Sequence, residues 1–187
     1  MATSLRILAF AGSLRAGSYN RKLLANAVEA LRGKAEIDLL DLREVPMPLY
    51  DGDLEQAAGL PEGARAFKAR LAAADAIVLA TPEYNTTVPG TLKNAIDWAS
   101  RGPDNPFKGK AVLLMGASPG SFGAVRAVMA VRQILTGLFA VVVPSAVQIG
   151  KADQAFDDAG RLKEARSLAT LDKACSELLR IATALKG

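Results

Sequence analysis

Short apolar runs alternate with amphipathic stretches along the whole chain. Residues 5–11 form the first run, and its length and the Gly12 that stops it mark a strand. Asn20 can cap a helix on which Leu23, Leu24, Ala27, Val28 and Leu31 share one face, with Gly33 just past its end. Residues 37–40 read as a shorter second strand. Residues 46–61 are rich in Pro, Gly and Asp and read as a long surface loop, followed by a helix over 62–73. Residues 76–80 are the third strand, bracketed by Asp75 and by Thr81-Pro82. A helix follows Pro89-Gly90, with Leu92, Ala95, Ile96 and Ala99 as its buried stripe, and 102–109 is a second loop. Residues 111–115 are the fourth strand, 121–138 a helix and 139–143 the fifth strand. Pro144 cannot donate to a ladder, so that strand ends there or lies at an edge. Leu162, Ala165, Leu168, Leu171, Cys175, Leu178, Ala182 and Leu185 then fall on one face of a closing helix.

The strands are apolar without alternation, which predicts a parallel sheet covered on both faces. Five strand-helix units imply a three-layer α/β/α sandwich with a five-stranded parallel sheet. At 187 residues the whole of 1–187 fits one domain. Ligands of such sheets sit beyond the carboxyl ends of the strands, at the topological switch point. The loops after strands one, three and four therefore carry the candidate chemistry.

Composition narrows that chemistry. Half of the residues are hydrophobic and 22% are charged, which fits a folded core and argues against disorder. There is no histidine, so Ser-His-Asp or Cys-His catalysis, an imidazole base and His-ligated zinc are all excluded. Cys175 is the single cysteine, so no intrachain disulfide or cysteine metal cluster can form, and a reducing compartment is allowed. The formal net charge of +4 is spread without runs of one sign. A basic stripe and aromatic platforms are both missing, so nucleic acid is not an expected partner. Residues 133–150 carry no charge, but Gln133, Thr136, Gly137, Pro144, Ser145 and Gln148 interrupt them, and no membrane span is expected. The opening MATSLRILAFAGS has too short an apolar stretch for a secretory signal, so the cytoplasm is the expected location.

After strand one comes Gly12-Ser13-Leu14-Arg15-Ala16-Gly17-Ser18-Tyr19-Asn20. This loop offers backbone N–H groups, hydroxyls, an arginine and a helix N-terminus to one anion. It has neither the Gly-Lys-Ser/Thr ending of a nucleotide P-loop nor the G-x-G-x-x-G dinucleotide pattern, so a monoester phosphate fits better than a pyrophosphate. An ordinary strand-to-helix turn capped by Ser18 or Asn20 has the same composition. After strand three comes Thr81-Pro82-Glu83-Tyr84-Asn85-Thr86-Thr87-Val88-Pro89-Gly90, stiff and without Lys or Arg. Its main-chain amides can meet the edge of a planar heteroaromatic ring, and Tyr84 can stack on one or stand as an exposed loop tyrosine with no ligand. Glu83 has no carboxylate partner nearby in sequence, which favours a structural or exposed residue over a catalytic acid or base. After strand four, Gly116-Ala117-Ser118-Pro119-Gly120-Ser121-Phe122-Gly123 holds three glycines. They suggest close approach of backbone to a ligand, or a tight turn.

Gly12-Ser13-Leu14-Arg15-x-x-Ser18-x-Asn20, then Pro82-Glu83-Tyr84-Asn85-x-x-x-Pro89-Gly90-x-Leu92-Lys93-Asn94-Ala95-Ile96-Asp97-Trp98, then Ser100-Arg101, resembles the NAD(P)H-dependent FMN reductase family, chiefly its chromate or quinone reductase branch. The likeness runs from strand one to about residue 150, and the second motif is the more specific. It implies a flavodoxin-like fold, bound FMN, NADPH or NADH as co-substrate, and a homodimer or homotetramer. It assigns the FMN phosphate to Ser13, Arg15, Ser18 and Asn20, counts Tyr19 among the cofactor-binding residues, and assigns the flavin ring to Pro82, Glu83, Tyr84, Asn85, Ser118 and Gly120. Arg126 matches an arginine near the family's subunit interface, and Met129 stands where an aromatic often follows. The implied activity is hydride transfer from NAD(P)H through the flavin to quinones or other small acceptors, which take turns at one ring face. No side-chain nucleophile is needed, which agrees with the missing histidines. A flavodoxin-like electron carrier is the alternative, but such carriers tend to be acidic and this chain has a pI near 9.3. A phospho-signalling domain would want an acidic cluster at the strand ends, which Asp41 and Asp75 do not supply.

Overall fold

The computed structural model describes residues 4–186. Five strand positions, β1 (Arg6–Ala11), β2 (Glu36–Leu40), β3 (Ala76–Thr81), β4 (Ala111–Ala117) and β5 (Val141–Val142), make one sheet in the order β2-β1-β3-β4-β5, every strand pair parallel. β1 (Arg6–Ala11), β3 (Ala76–Thr81) and β4 (Ala111–Ala117) occupy its centre, and all three are almost wholly buried. That burial on both faces is why their side chains show no alternation. α1 (Tyr19–Leu31) and the closing helix cover one face, around Leu23, Leu31, Leu171 and Leu178. The helices after β2, β3 and β4 cover the other, around Phe67, Ile96 and Val131. The layers, order and direction match the flavodoxin-like expectation.

Four local expectations are corrected. The cap of α1 is Ser18, whose Oγ accepts from Asn20 N at 3.2 Å; Asn20 lies inside the helix. After β2 (Glu36–Leu40), the span 46–61 is not all loop: it holds α2 (Gly52–Ala58), capped by Asp51. None of the α2 residues is buried, so it has no apolar stripe to betray it. α3 (Glu62–Ala73) and α4 (Gly90–Ala99) follow as expected, but α5 spans only Val125–Gly137. Residues 121–124 form a turn instead, with Gly123 and Ala124 at positive φ. The fifth strand is split about Pro144 into β5 (Val141–Val142) and β6 (Val147–Ile149), which pair with the two ends of β4. Phe139 lies outside it at φ 62°, and Arg132 donates to the Val143 and Pro144 carbonyls where the ladder is broken. α6 (Ala152–Ala155) and α7 (Ala165–Lys186) complete the chain.

Cys175 is buried in α7, and burial pushes its thiol up to about 12, so it stays protonated and unreactive at neutral pH. No helix of the described residues is long and apolar enough to cross a membrane.

Candidate functional site

Because β1, β3 and β4 are parallel and in register, their three following loops leave the same sheet edge. A ladder bond from Gly12 N to Ala80 O, 2.9 Å, carries β1 one residue further toward that edge. The Gly12 Cα lies against Leu92: an added Cβ would stand 2.9 Å from that side chain. Glycine here lets the first loop settle on α4.

The first loop is a cradle of donors. Ser13 is buried, and its Oγ accepts from Arg15 N and lies near the Tyr84 hydroxyl, both at 3.4 Å. Ser18 is buried as the cap of α1. The N–H groups of Leu14, Ala16 and Gly17 have no protein acceptor among the described residues. The Arg15 guanidinium is exposed and makes no hydrogen bond or ion pair among them. Backbone donors at a helix start beside a free guanidinium suit one phosphate monoester.

Two of the expected cofactor-binding residues, Asn20 and Tyr19, have partners inside the chain. Asn20 is buried, and its amide spans to β4: Nδ2 donates to Ala117 O at 2.9 Å and Oδ1 accepts from Ala117 N at 2.8 Å. β3 stops pairing with β4 at Thr81 and Gly116, so the Asn20 side chain stands in for the next strand residue. The Tyr19 ring stacks on Phe156, with centroids 6.3 Å apart, which turns the side chain toward the segment after α6. Asn20 thus joins the first loop to the third, and Tyr19 anchors the start of α1.

The second loop turns tightly at Tyr84-Asn85-Thr86-Thr87. Tyr84 and Thr87 exchange backbone bonds of 3.1 and 3.2 Å, and Asn85 and Thr86 have φ of 48° and 65°. Asn tolerates that region and a β-branched Thr does not, so Thr86 holds backbone strain at the site rim. Pro82 is buried, while Tyr84 and Asn85 are exposed. The Glu83 carboxylate binds the start of α5: Oε2 accepts from the N–H of Arg126 at 2.9 Å and Ala127 at 3.3 Å, and Oε1 from Arg126 Nη1 at 3.1 Å. Arg126, expected near a subunit interface, is therefore paired within the chain.

In the third loop most of the glycine signal has an internal cause. A Cβ on Gly116 would lie 2.7 Å from Gly123 O, and one on Gly123 2.6 Å from Ile149 N. The close approach they permit is to the chain itself. Gly120 is different, since its nearest neighbour would be Ser118 Oγ at 3.7 Å. Ser118 Oγ accepts from Ala124 N at 3.3 Å and so ties the loop to the start of α5.

Asn94 and Trp98 acquire roles that the sequence did not disclose. Asn94 Nδ2 and Trp98 Nε1 both donate to Pro48 O at 2.9 Å, and Asn94 Oδ1 accepts from Tyr50 N at 2.8 Å. They strap residues 48–50 across α4. Between that strap and the first two loops lies a cleft of about 420 Å³, lined by Leu14, Val45, Met47, Leu49, Thr91 and Gly90 among others.

Residues 5–154 match the sequence profile of the NADPH-dependent FMN reductase family. An NAD(P)H-dependent FMN reductase of Pseudomonas aeruginosa is 44% identical over 165 residues, 87% of this chain and 86% of its own. A quinone reductase of Escherichia coli is 41% identical over 143 residues, 76% of either chain. Among solved structures, the flavoenzyme FerB of Paracoccus denitrificans, an NAD(P)H:(acceptor) oxidoreductase, superposes with a TM-score of 0.83 at 31% identity, covering 96% of this chain and 98% of its own. With the profile spanning most of the fold and the three loops gathered at one edge, the chain belongs to the NADPH-dependent FMN reductase family.

Proposed function

We propose that this chain holds FMN across the three loops and reduces quinones, or other small planar acceptors, with NAD(P)H. It is an oxidoreductase of its family, with FMN as its flavin and NAD(P)H as its electron donor. When bound, FMN supplies a ring that accepts a hydride and passes electrons on. The observation that carries the site is the first loop, where three N–H groups and a guanidinium, all without a protein partner among the described residues, surround one helix start. Ser13, Arg15 and Ser18 hold the phosphate there, with Tyr19 and Asn20 fixing the helix start behind them. Pro82, the backbone of Glu83, Tyr84 and Asn85 border the ring on one side, and Ser118 and Gly120 on the other. The apolar cleft beside Leu14 and Gly90 favours an acceptor with apolar surface over a purely ionic one.

Heat release of the cofactor followed by chromatography is expected to yield FMN. Steady-state NAD(P)H oxidation is expected to accelerate when a quinone is added. Recovery of mostly FAD, or of no flavin, would refute the site; flavin without quinone-dependent turnover would favour an electron carrier. The cytoplasm is the proposed location, supported by a single buried thiol and no need of disulfides.

The active form is proposed to be a homodimer or homotetramer. Val128 and Val131 of α5 are buried in the protein's own core and offer no contact face. The surface that supports association is instead Phe122 and Met129, 68% and 60% exposed at one end of α5. Sedimentation at micromolar concentration should give a multiple of the 19.6 kDa chain mass; a clean monomer would overturn it.

A further inference from the structure

α5 begins without a cap of its own. Its N-cap position, Ala124, is left-handed with no side-chain bond, and its first turn has no acidic residue. The first N–H groups of a helix need acceptors, and the macrodipole adds partial positive charge there. Glu83 supplies both answers from another element. Its side chain is only 14% exposed, and its carboxylate accepts the N–H groups of Arg126 and Ala127. Such charge-assisted bonds are stronger than neutral ones. The Arg126 side chain adds a third bond, but that guanidinium is 55% exposed and contributes less.

We propose that Glu83 is a positioning residue: by capping α5 it fixes the second loop against the third and so sets the spacing of the two ring-side walls. The inference rests on the flavin site proposed above. Glu83 lies between Pro82 and Tyr84, so any movement of its side chain pulls on the backbone at both. Ser118 binds Ala124 N at the same helix start, so the third loop is anchored to the end that Glu83 caps. The two walls thus share one helix terminus and no direct contact between their ring-side residues is required.

The test compares Glu83→Gln, Glu83→Ala and Arg126→Ala with the parent protein. Three readouts serve: hydrogen exchange of the Arg126 and Ala127 amides, FMN affinity of the apo-protein by flavin fluorescence, and the visible spectrum of bound flavin. In both Glu83 variants exchange at those amides should quicken about tenfold or more. FMN should bind about three- to tenfold more weakly, with an altered visible band. Glu83→Gln keeps one acceptor and should sit between the parent and Glu83→Ala. Arg126→Ala keeps the cap and should bind FMN within about twofold of the parent. Weakened FMN with unchanged amide exchange would mean that Glu83 touches the flavin directly, and would overturn the proposal. Faster exchange with unchanged affinity and spectrum would overturn it too, leaving a purely structural cap. A parent protein that takes up no FMN would instead bring down the functional reading on which both rest. Should Glu83→Ala fold poorly, Glu83→Gln alone decides.

Discussion

Arg15→Ala is expected to weaken FMN by roughly ten- to a hundredfold, taking a bond to a charged group as about 1.5–3 kcal/mol and 1.4 kcal/mol as tenfold. The guanidinium is permanently charged, exposed and free of any protein partner among the described residues. Nothing inside the chain would be lost with it, so thermal stability of the apo-protein should stay within about 0.5 kcal/mol of the parent. The ring-side residues would be untouched, and turnover at saturating FMN should be nearly unchanged. Arg15→Lys keeps the charge but loses the planar fork, and should recover part of the affinity. Titration of apo-protein by quenching of flavin fluorescence measures the effect. Unchanged affinity would remove Arg15 from the phosphate site. Unchanged affinity with lost turnover would move it to the side where the nicotinamide or the acceptor binds.

The architecture was readable because the central strands are buried on both faces and the helices carry one apolar stripe each. What escaped was structure that buries nothing or is built between distant residues. α2 has no stripe, so its polar and glycine-rich sequence reads as loop. The break at Pro144 was visible as a stop, but the resumption at Val147 depends on β4 being long enough to pair with both pieces. In the proposed site, the donor set around Ser13 and Arg15 was legible because a strand-to-helix loop is a local motif. The internal partners of Asn20 and Glu83 were not legible because Ala117 and the start of α5 lie 97 and 43 residues away. The glycines at 116 and 123 left two readings open for the same reason: a tight approach to one's own backbone and to a ligand leave the same residue in the sequence.

Asn20→Ala should be the most destabilising single change at the site. The side chain is 2% exposed and satisfies both the N–H and the C=O of Ala117, itself 3% exposed. Removal leaves two buried peptide groups unpaired, at about 1–3 kcal/mol each. With roughly 3 kcal/mol lost, the melting temperature should fall by about 6–12 °C, since each kcal/mol is worth about 2–4 °C in a chain of this size. Asn20→Asp should not rescue it: one oxygen can still accept from Ala117 N, but the other would face the Ala117 carbonyl, acceptor against acceptor. The loss is also a loss of coupling, because this amide is what joins the first loop to the end of β4. FMN affinity should therefore fall together with stability, although Asn20 is not expected to touch the phosphate. Saturating FMN should restore part of the melting temperature, as any ligand of the folded state does. Thermal denaturation with and without FMN separates these effects. A fall of less than about 2 °C would mean that water replaces the amide at little cost, and that Asn20 is no strut. A large fall with unchanged FMN affinity would mean that the first and third loops hold their places without it.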